Sequence, residues 1–192
     1  MPENVEIERR FLVDGRHERP WIDESSERIH VTQWYLDRNQ MTVSENNEII
    51  ICSGEVLVSG IEAGIGHSIK IEPNWTVRIR KWNETYLLTL KGPRQGATAV
   101  EYEWQVDSQV ATNVVQKSNT VCVEKYRYIL KSEDGRIWEV DEFEGHLSGL
   151  IIAEVELEHE DSPILIPPWA GMELTHLDGW SNAALAKMLP QE

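Results

Sequence analysis

Charged side chains recur at every second position in several extended segments of this chain, and this pattern limits the fold more than any other feature. In the first such segment, VEIERRFLV, the side chains of Glu6, Glu8 and Arg10 share one face. Ile7 and Phe11 lie on the other face. Because successive side chains of a β-strand point to opposite sides, a period of two predicts strands with one charged and one apolar face.

Most of the remaining chain follows the same pattern and predicts a mainly β, α+β protein. Ten strands are predicted, at residues 5–13, 30–36, 47–54, 66–72, 76–82, 85–92, 99–106, 124–131, 136–144 and 151–160. Helices are predicted at 107–118 and 180–189, with a shorter one within 23–28. Antiparallel strands of this kind are expected to form a barrel or a strongly curved sheet. Residues 44–72 are expected to form an extra hairpin or two, without an assigned role.

The length and charge of the chain exclude several classes of protein. Its 192 residues suit one domain with its own core, and its net charge of −15 repels nucleic acid and anionic membranes. Cys52 and Cys122 form no disulfide framework or metal-binding pair, and the acidic N-terminus does not resemble a signal peptide. The longest apolar stretch is too short and too interrupted to span a membrane. We therefore expect a cytoplasmic protein with no nucleic-acid or membrane partner.

The signs of the charges segregate by strand, which is unusual for a surface that faces water. Any one charged face is more simply explained as a solvated surface. Together, however, basic and acidic strands succeed each other, and large aromatics such as Tyr102 and Trp138 occupy the opposite faces. If these apolar faces pack outward beneath helices, the charged faces point into the barrel. A dry interior does not hold so many charges, whereas a wet lumen that binds a polyanion and divalent cations does. The charged positions are Arg78, Arg80, Lys91, Glu101, Glu103, Lys125, Arg127, Glu154 and Glu156.

The segment containing Glu6, Glu8 and Arg10 resembles the ExExK signature strand of the CYTH, or triphosphate tunnel metalloenzyme, superfamily. Later segments follow in an order similar to that family: QWYL, TVRIR, LTLKG, VEYEW, EKYRY, WEVDEFEG, GLIIAEVELE, PPWAGMELT and SNAALA. The resemblance implies a single domain over residues 1–192 with an atypical insertion at about 44–72. It also implies an eight-stranded antiparallel closed barrel with a few flanking helices, whose lumen binds a triphosphate together with Mg²⁺ or Mn²⁺.

The same resemblance implies a role for most of the charged positions. The family's phosphate-binding set corresponds to Arg10, Arg78, Arg80, Lys91, Lys125 and Arg127. Its metal-binding carboxylates and acidic lining correspond to Glu6, Glu8, Glu101, Glu103, Asp141, Glu154 and Glu156. Catalytic roles are implied for Glu8, Arg10 and Tyr35, the last of which matches a tyrosine of the lumen. Within this set, Glu8, Glu154 and Glu156 are expected to hold the metal that presents the attacking water.

Four features of the sequence depart from the family pattern. The lysine of ExExK is Arg10, which keeps the charge but does not titrate. The arginine usual before the later ExE strand is Ala99, so one phosphate contact is expected to be missing. These two changes bear on catalytic rate and substrate choice. Tyr126 replaces a threonine and Gly179-Trp180 replace an Arg-Tyr pair, and both changes are expected to be mainly structural.

Three functions remain open from the sequence. The first is a metal-dependent hydrolase of inorganic triphosphate or a related triphosphate compound. The second is a class IV-type adenylate cyclase, for which the sequence shows no readable adenine site. The third is a non-catalytic polyphosphate- or nucleotide-binding module, favoured by Arg10 and Ala99 and disfavoured by the intact carboxylates. The expected partner is a small-molecule triphosphate, and a homodimer stays an open option.

Overall fold

Regular strands form over most of the alternating sequence. The structure, a computed structural model, describes residues 4–51, 54–118, 120 and 122–190. Its strands are β1 (Val5–Val13), β2 (Glu27–Leu36), β3 (Met41–Val43), β4 (Ile49–Ile51), β5 (Glu55–Val58), β6 (Thr76–Trp82), β7 (Thr85–Lys91), β8 (Thr98–Val106), β9 (Cys122–Lys131), β10 (Ile137–Phe143), β11 (Ile151–Glu156) and β12 (Ala170–Glu173). Its α-helices are α1 (Trp21–Glu24), α2 (Ala63–Ile71), α3 (Ser108–Ser118) and α4 (Asn182–Met188).

Eight of these strands close into an antiparallel barrel, which confirms the predicted fold class. The order around the barrel is β1-β11-β10-β9-β2-β6-β7-β8, and β8 pairs again with β1. β12 pairs with Phe11 and Val13 of β1, beyond the residues that pair with β8. A barrel of eight strands is just wide enough for its inward side chains or for one small ligand.

An outer shell covers the apolar faces of β6 and β7. Ile79 and Leu88 of the barrel pack in one cluster with Ile51 and Ile69, which belong to residues 44–72. Val114 of α3 joins the same cluster, and all of these side chains are fully buried. Burial of this apolar surface drives the packing. The segment 44–72 therefore covers one side of the barrel.

Tryptophan side chains cover the opposite side of the barrel. The ring centroid of Trp138, on the outer face of β10, lies 5.4 Å from that of Phe11 and 5.5 Å from that of Trp169. Trp21 of α1 packs against Trp169 at 5.4 Å. These edge-on and tilted contacts are the arrangements that aromatic rings prefer. The apolar faces of β1 and β10 thus point outward into a dry shell.

The segment 44–72 differs most from the sequence prediction. The hairpin prediction is confirmed, because β3, β4 and β5 form a separate antiparallel sheet. The predicted strand at 66–72 is wrong, because these residues lie in or next to α2. Ile69 and Ile71 would share one face of a strand, but Ile69 is 0% exposed and Ile71 is 66% exposed. Residues two apart on a helix point about 200° apart, which explains the difference.

Smaller differences occur at two other places. The helix expected within 23–28 is α1, which ends earlier, and β2 already begins at Glu27. β12 was not predicted, since most of its residues are exposed and do not alternate. Cys52 and Ser53, which belong to the strand predicted at 47–54, lie outside the described residues.

Apolar side chains fill part of the lumen at one rim. Four strands carry an apolar side chain on the same inward face as their charged side chains, two residues away. These apolar side chains pack together, and they are Leu12, Val123, Phe143 and Ile152. Leu185 of α4 completes this cluster from outside the barrel. The charged side chains are therefore confined to the rest of the lumen.

Candidate active site in the barrel lumen

Two adjoining cavities of about 290 and 190 Å³ lie in the lumen and share lining residues such as Glu8 and Arg127. The sequence-predicted residues on their walls are Glu6, Glu8, Arg10, Tyr35, Arg78, Arg80, Lys91, Glu101, Glu103, Arg127, Glu154 and Glu156. Lys125 and Asp141 are not among the described residues of either wall. The fold thus brings together all but two of the predicted residues.

Strand register brings charged side chains of the lumen wall side by side, some of opposite sign and, at Glu8 and Glu156, two of the same sign. Glu8 and Arg10 of β1 lie opposite Glu156 and Glu154 of β11, respectively. Lys91 of β7 lies opposite Glu101 of β8, and the neighbouring Thr89 lies opposite Glu103. Directly opposed residues of antiparallel strands share a face and lie close enough to interact. The acidic and basic positions that the sequence shows therefore lie next to one another on neighbouring strands of the lumen wall.

Lys91 is the centre of a carboxylate cluster at one side of the cavity. Its Nζ donates a hydrogen bond to Glu6 and lies 3.4 Å from Glu8 Oε1 and 3.5 Å from Glu101 Oε2. Burial lowers the pKa of Lys91, but the charges of Glu8, Glu6 and Glu101 outweigh burial and raise it. Burial also raises the pKa of Glu156, and the like charges of Glu6 and Glu8 add to this effect. Additional positive charge near Glu156 would therefore stabilise its carboxylate.

The arginines of the lumen form a second cluster. Arg78 Nη2 donates to Thr89 Oγ1 at 3.1 Å and lies 3.6 Å from Glu101, and Arg80 lies 3.8 Å from Glu103. Burial and the like charges of Arg78 and Arg127 lower the pKa of Arg80 to about 10. Arg80 nevertheless stays charged at neutral pH. A negatively charged ligand would relieve this repulsion.

Several arginine N–H groups in the lumen have no hydrogen-bond partner among the described residues. The buried atoms are Arg10 Nε, Arg78 Nε, Arg80 Nε and Arg94 Nη1. Buried donors normally find acceptors, because an unmade hydrogen bond costs about 1–3 kcal/mol. Guanidinium groups bind phosphate oxygens through such donors. The four unpartnered donors therefore indicate a site for an anion with several oxygens.

Lys125 and Asp141 line neither of the two cavities and belong to a buried ion-pair network. The Nε and Nη2 atoms of Arg127 each donate to a separate oxygen of Asp141 at 2.7 Å, and Lys125 pairs with Asp141 Oδ2. Burial lowers the pKa of Lys125 to about 8. Although burial raises the pKa of Asp141, Arg127 and Lys125 outweigh it and lower that pKa to about 2. The pair thus holds the Arg127 guanidinium, whose Nη2 also donates to Glu154 at 3.0 Å.

Two charged wall residues among the described residues were missed by the sequence analysis. Glu139 lines both cavities and pairs with Arg127. It lies two residues before Asp141 on β10, so the alternation of that strand would have found it. Arg94 lines the larger cavity and pairs with Glu8. It belongs to the loop between β7 and β8, where alternation predicts no facing direction.

The carboxylates near Glu8 suit a hard divalent cation in their chemistry. Carboxylate oxygens are the ligands that Mg²⁺ and Mn²⁺ prefer. Burial raises the pKa of Glu156 and the like charges of Glu6 and Glu8 raise it further, so a cation among these carboxylates would stabilise their charged forms. In their present conformations, however, no three His, Cys, Asp or Glu side chains in the described part of the chain are arranged as metal ligands. Glu6 and Glu8 face Lys91 and Arg94 instead.

A family model described as the CYTH domain matches residues 73–181, which is more than half of this chain. This protein belongs to the CYTH domain family. The matched region begins directly after residues 44–72. The single domain with an insertion at 44–72 remains a prediction for this CYTH protein.

Inorganic triphosphatases are among the proteins that resemble this CYTH protein. The inorganic triphosphatase of Acetivibrio thermocellus is 37% identical over 113 residues, which are 58% of this chain and 72% of that one. The inorganic triphosphatase of Nitrosomonas europaea is 38% identical over 116 residues, which are 59% of this chain and 76% of that one. A crystal structure of an inorganic triphosphatase matches with a TM-score of 0.58 and 29% identity, over 96% of each chain.

No helix in the described residues of this CYTH protein is both long enough and apolar enough to cross a membrane.

Proposed function

We propose that this CYTH protein is a divalent-metal-dependent hydrolase of inorganic triphosphate or a related triphosphate compound, acting in the barrel lumen with Mg²⁺ or Mn²⁺. The observation that carries the proposal is the set of unpartnered arginine donors beside a cluster of carboxylates within one cavity. The inorganic triphosphatases that resemble this chain support it from a separate direction.

The basic residues of the lumen would bind the phosphate oxygens. Arg78 and Arg80 of β6, Arg127 of β9 and Lys91 of β7 all line the larger cavity. The transition state of phosphoryl transfer spreads negative charge over the phosphate oxygens, so fixed positive charges stabilise it. Because Asp141 holds Arg127 through two hydrogen bonds, this guanidinium is already oriented before the substrate binds.

The acidic residues would hold the metal. Glu8, Glu154 and Glu156 are the proposed ligands, and Glu6 and Glu103 extend the acidic wall around them. A divalent cation bound there supplies positive charge at the phosphates and a site at which a water is positioned for in-line attack.

Arg10 and Tyr35 would support this site without exchanging protons. Arg10 Nη1 donates to the carbonyl oxygen of Trp180 at 3.1 Å, and its Nε lies 3.8 Å from Glu8 Oε1. The guanidinium would therefore place a positive charge beside Glu8. Burial raises the pKa of Tyr35, whose hydroxyl donates to Gln33 Oε1 at 2.9 Å. Tyr35 therefore acts as a neutral hydroxyl of the wall and not as a base.

The testing experiment measures phosphate release from inorganic triphosphate, ATP and thiamine triphosphate with Mg²⁺ or Mn²⁺. Glu8→Gln keeps the shape of the side chain and removes its charge, and we expect it to lower phosphate release at least about a hundredfold. Equal release by wild type and Glu8→Gln would contradict the proposal. Cyclic AMP formed from ATP would indicate the cyclase instead. Triphosphate that binds without any turnover would indicate the binding module.

A further inference from the structure

Three positively charged side chains surround the single carboxylate of Glu8. Arg94 Nη2 donates to Glu8 Oε1, Lys91 Nζ lies 3.4 Å from the same oxygen, and Arg10 Nε lies 3.8 Å from it. The Glu8 side chain is 12% exposed and that of Arg94 is 19% exposed, so water screens this group only weakly. A cation that binds Glu8 has to compete with these three side chains.

Arg94 is presented by a loop whose backbone is fixed on both sides. Gln95 and Thr98 exchange two backbone hydrogen bonds of 2.8 and 3.1 Å, and Gly92 N donates to Val100 O at 2.8 Å. The carboxylate of Glu160 accepts from Ala97 N at 2.9 Å and from Thr98 Oγ1 at 3.0 Å. Because these bonds hold the loop, the part of Arg94 that is free to rearrange is its long side chain and not its backbone.

This loop supplies a positive charge that β8 does not. Residues 99, 101 and 103 of β8 are inward positions, and they carry Ala, Glu and Glu. Ala99 lies opposite Glu6 in the strand register, so its methyl group faces the carboxylate cluster without neutralising it. Arg94 enters the same side of the lumen from the loop.

Part of the Arg94 guanidinium is available to a second partner. Its Nη1 is buried and has no hydrogen-bond partner among the described residues, while its Nη2 contacts Glu8. A guanidinium offers five N–H donors in a rigid fork, which matches phosphate oxygens well. A triphosphate in the cavity would therefore compete with Glu8 for this group.

We propose that Arg94 exchanges partners when the site loads, leaving Glu8 for a phosphate oxygen of the triphosphate and thereby freeing Glu8 for the divalent cation. This inference rests on the proposed triphosphate site. Arg94 is then a positioning residue for Glu8 and a ligand for the phosphate. Binding of the triphosphate and binding of the metal favour each other, and the effect is reciprocal because it is a coupling of two binding equilibria.

The exchange predicts effects of opposite sign in one variant. In Arg94→Gln, Glu8 loses a competing cation, so Mn²⁺ alone is expected to bind about fivefold or more tightly than to the wild type. Inorganic triphosphate in chelator and at low ionic strength is expected to bind at least about fivefold more weakly, because a phosphate contact is lost. Titration of Mn²⁺ by electron paramagnetic resonance and of triphosphate by calorimetry measures the two affinities without turnover.

The matched control is Arg80→Gln, which removes the same charge from the same lumen. Arg80 lies near Glu103 and makes no ion pair with Glu8 in the described structure. It is expected to weaken triphosphate binding and to change Mn²⁺ affinity less than Arg94→Gln does. Arg94→Lys keeps the charge near Glu8, and its Mn²⁺ affinity is expected to stay closer to that of the wild type.

The outcomes separate this inference from the proposed function. Unchanged Mn²⁺ affinity in Arg94→Gln, or a gain no larger than in Arg80→Gln, would overturn the exchange, even in an active hydrolase. The opposite effects in Arg94→Gln would support it, even if phosphate release is absent and the hydrolase proposal fails. Equal thermal midpoints of the variants and the wild type show that altered binding does not come from unfolding.

Discussion

At the scale of residues, Asp141 illustrates how a charge is kept inside this barrel. Its carboxylate is 1% exposed, and Arg127 and Lys125 both pair with it. A buried ion requires partners of opposite charge, since its desolvation costs several kcal/mol. Sequence alternation placed Lys125 and Arg127 on one face of a strand, and the family resemblance implied Asp141 as acidic lining. It did not show that Lys125 and Asp141 lie outside the two cavities. Their position depends on how the apolar side chains at the rim fill the lumen.

Asp141→Asn is expected to destabilise the protein by about 3–5 kcal/mol, because Lys125 and Arg127 would lose their buried counter-charge. Urea denaturation followed by fluorescence of the tryptophans measures the change. Asp14→Asn is the control, since Asp14 pairs with Arg16 on the surface and its loss is expected to leave stability unchanged. A small effect of Asp141→Asn would contradict the network.

The destabilisation by Asp141→Asn is expected to depend on pH in one direction. The folded state holds the pKa of Asp141 at about 2, below the value of an unfolded aspartate near 3.9. The contribution of its charge is therefore fully present above about pH 4 and is lost as the pH falls toward 2. The difference in free energy of unfolding between wild type and Asp141→Asn should therefore become smaller as the pH falls over this range.

Lys125→Met is expected to change triphosphate affinity less than Arg80→Gln, because the Arg80 side chain lines both cavities and that of Lys125 lies outside the described walls. Asp141 keeps its two hydrogen bonds from Arg127 in this variant. Calorimetric titration of both variants tests the ranking. A loss of affinity in Lys125→Met equal to that in Arg80→Gln would show that Lys125 binds phosphate directly, as the family resemblance implied.

At the scale of elements, the eight strands of the barrel were predictable and the connections between them were not. The bounds of β1 and β6 agree with the prediction, because strict alternation and flanking turn residues define both ends. α2 was read as a strand, since Ile69 and Ile71, two residues apart, fit the period of a strand. The facing direction of Arg94 could not be predicted either, because a loop residue has no fixed side and its position depends on the closed barrel.

Ile69→Ala is expected to lower the free energy of unfolding by about 2–5 kcal/mol, because it removes a fully buried side chain between α2 and the barrel. Ile71→Ala is the control on the same helix, and we expect little change because this side chain is 66% exposed. Chemical denaturation of the two variants measures the difference. Equal effects would mean that residues 44–72 do not cover the outer face of β6 and β7.

At the scale of the whole molecule, a strongly acidic protein surrounds a lumen lined by arginines. The net charge of −15 repels a triphosphate from a distance, while the lumen attracts it at short range. The composition alone predicted the first effect, and the register of the strands was needed for the second. The sequence therefore predicted most residues of the site. How their charges pair with one another could be read only from the folded structure.

Triphosphate affinity is expected to fall sharply when divalent cations are removed with a chelator, because the metal offsets the repulsion between the anion and the acidic protein. Calorimetric titration of inorganic triphosphate into Glu8→Gln, with Mg²⁺ or with chelator, separates this effect from turnover. The decrease should be larger for wild type than for Glu8→Gln, which has lost part of the metal site. Affinity that does not respond to chelator would contradict the prediction.

The alternating faces of the barrel strands also limit which changes of length this protein can tolerate during evolution. A deletion of one residue within β1 would turn the side chains beyond it to the opposite faces, so that Phe11 would enter the lumen and Arg10 would enter the apolar shell. Segment 44–72, by contrast, lies wholly between two neighbouring barrel strands, β2 and β6, and leaves their pairing intact. Insertions and deletions in descendants of this gene should therefore accumulate in the connections, while the strands change by substitution alone.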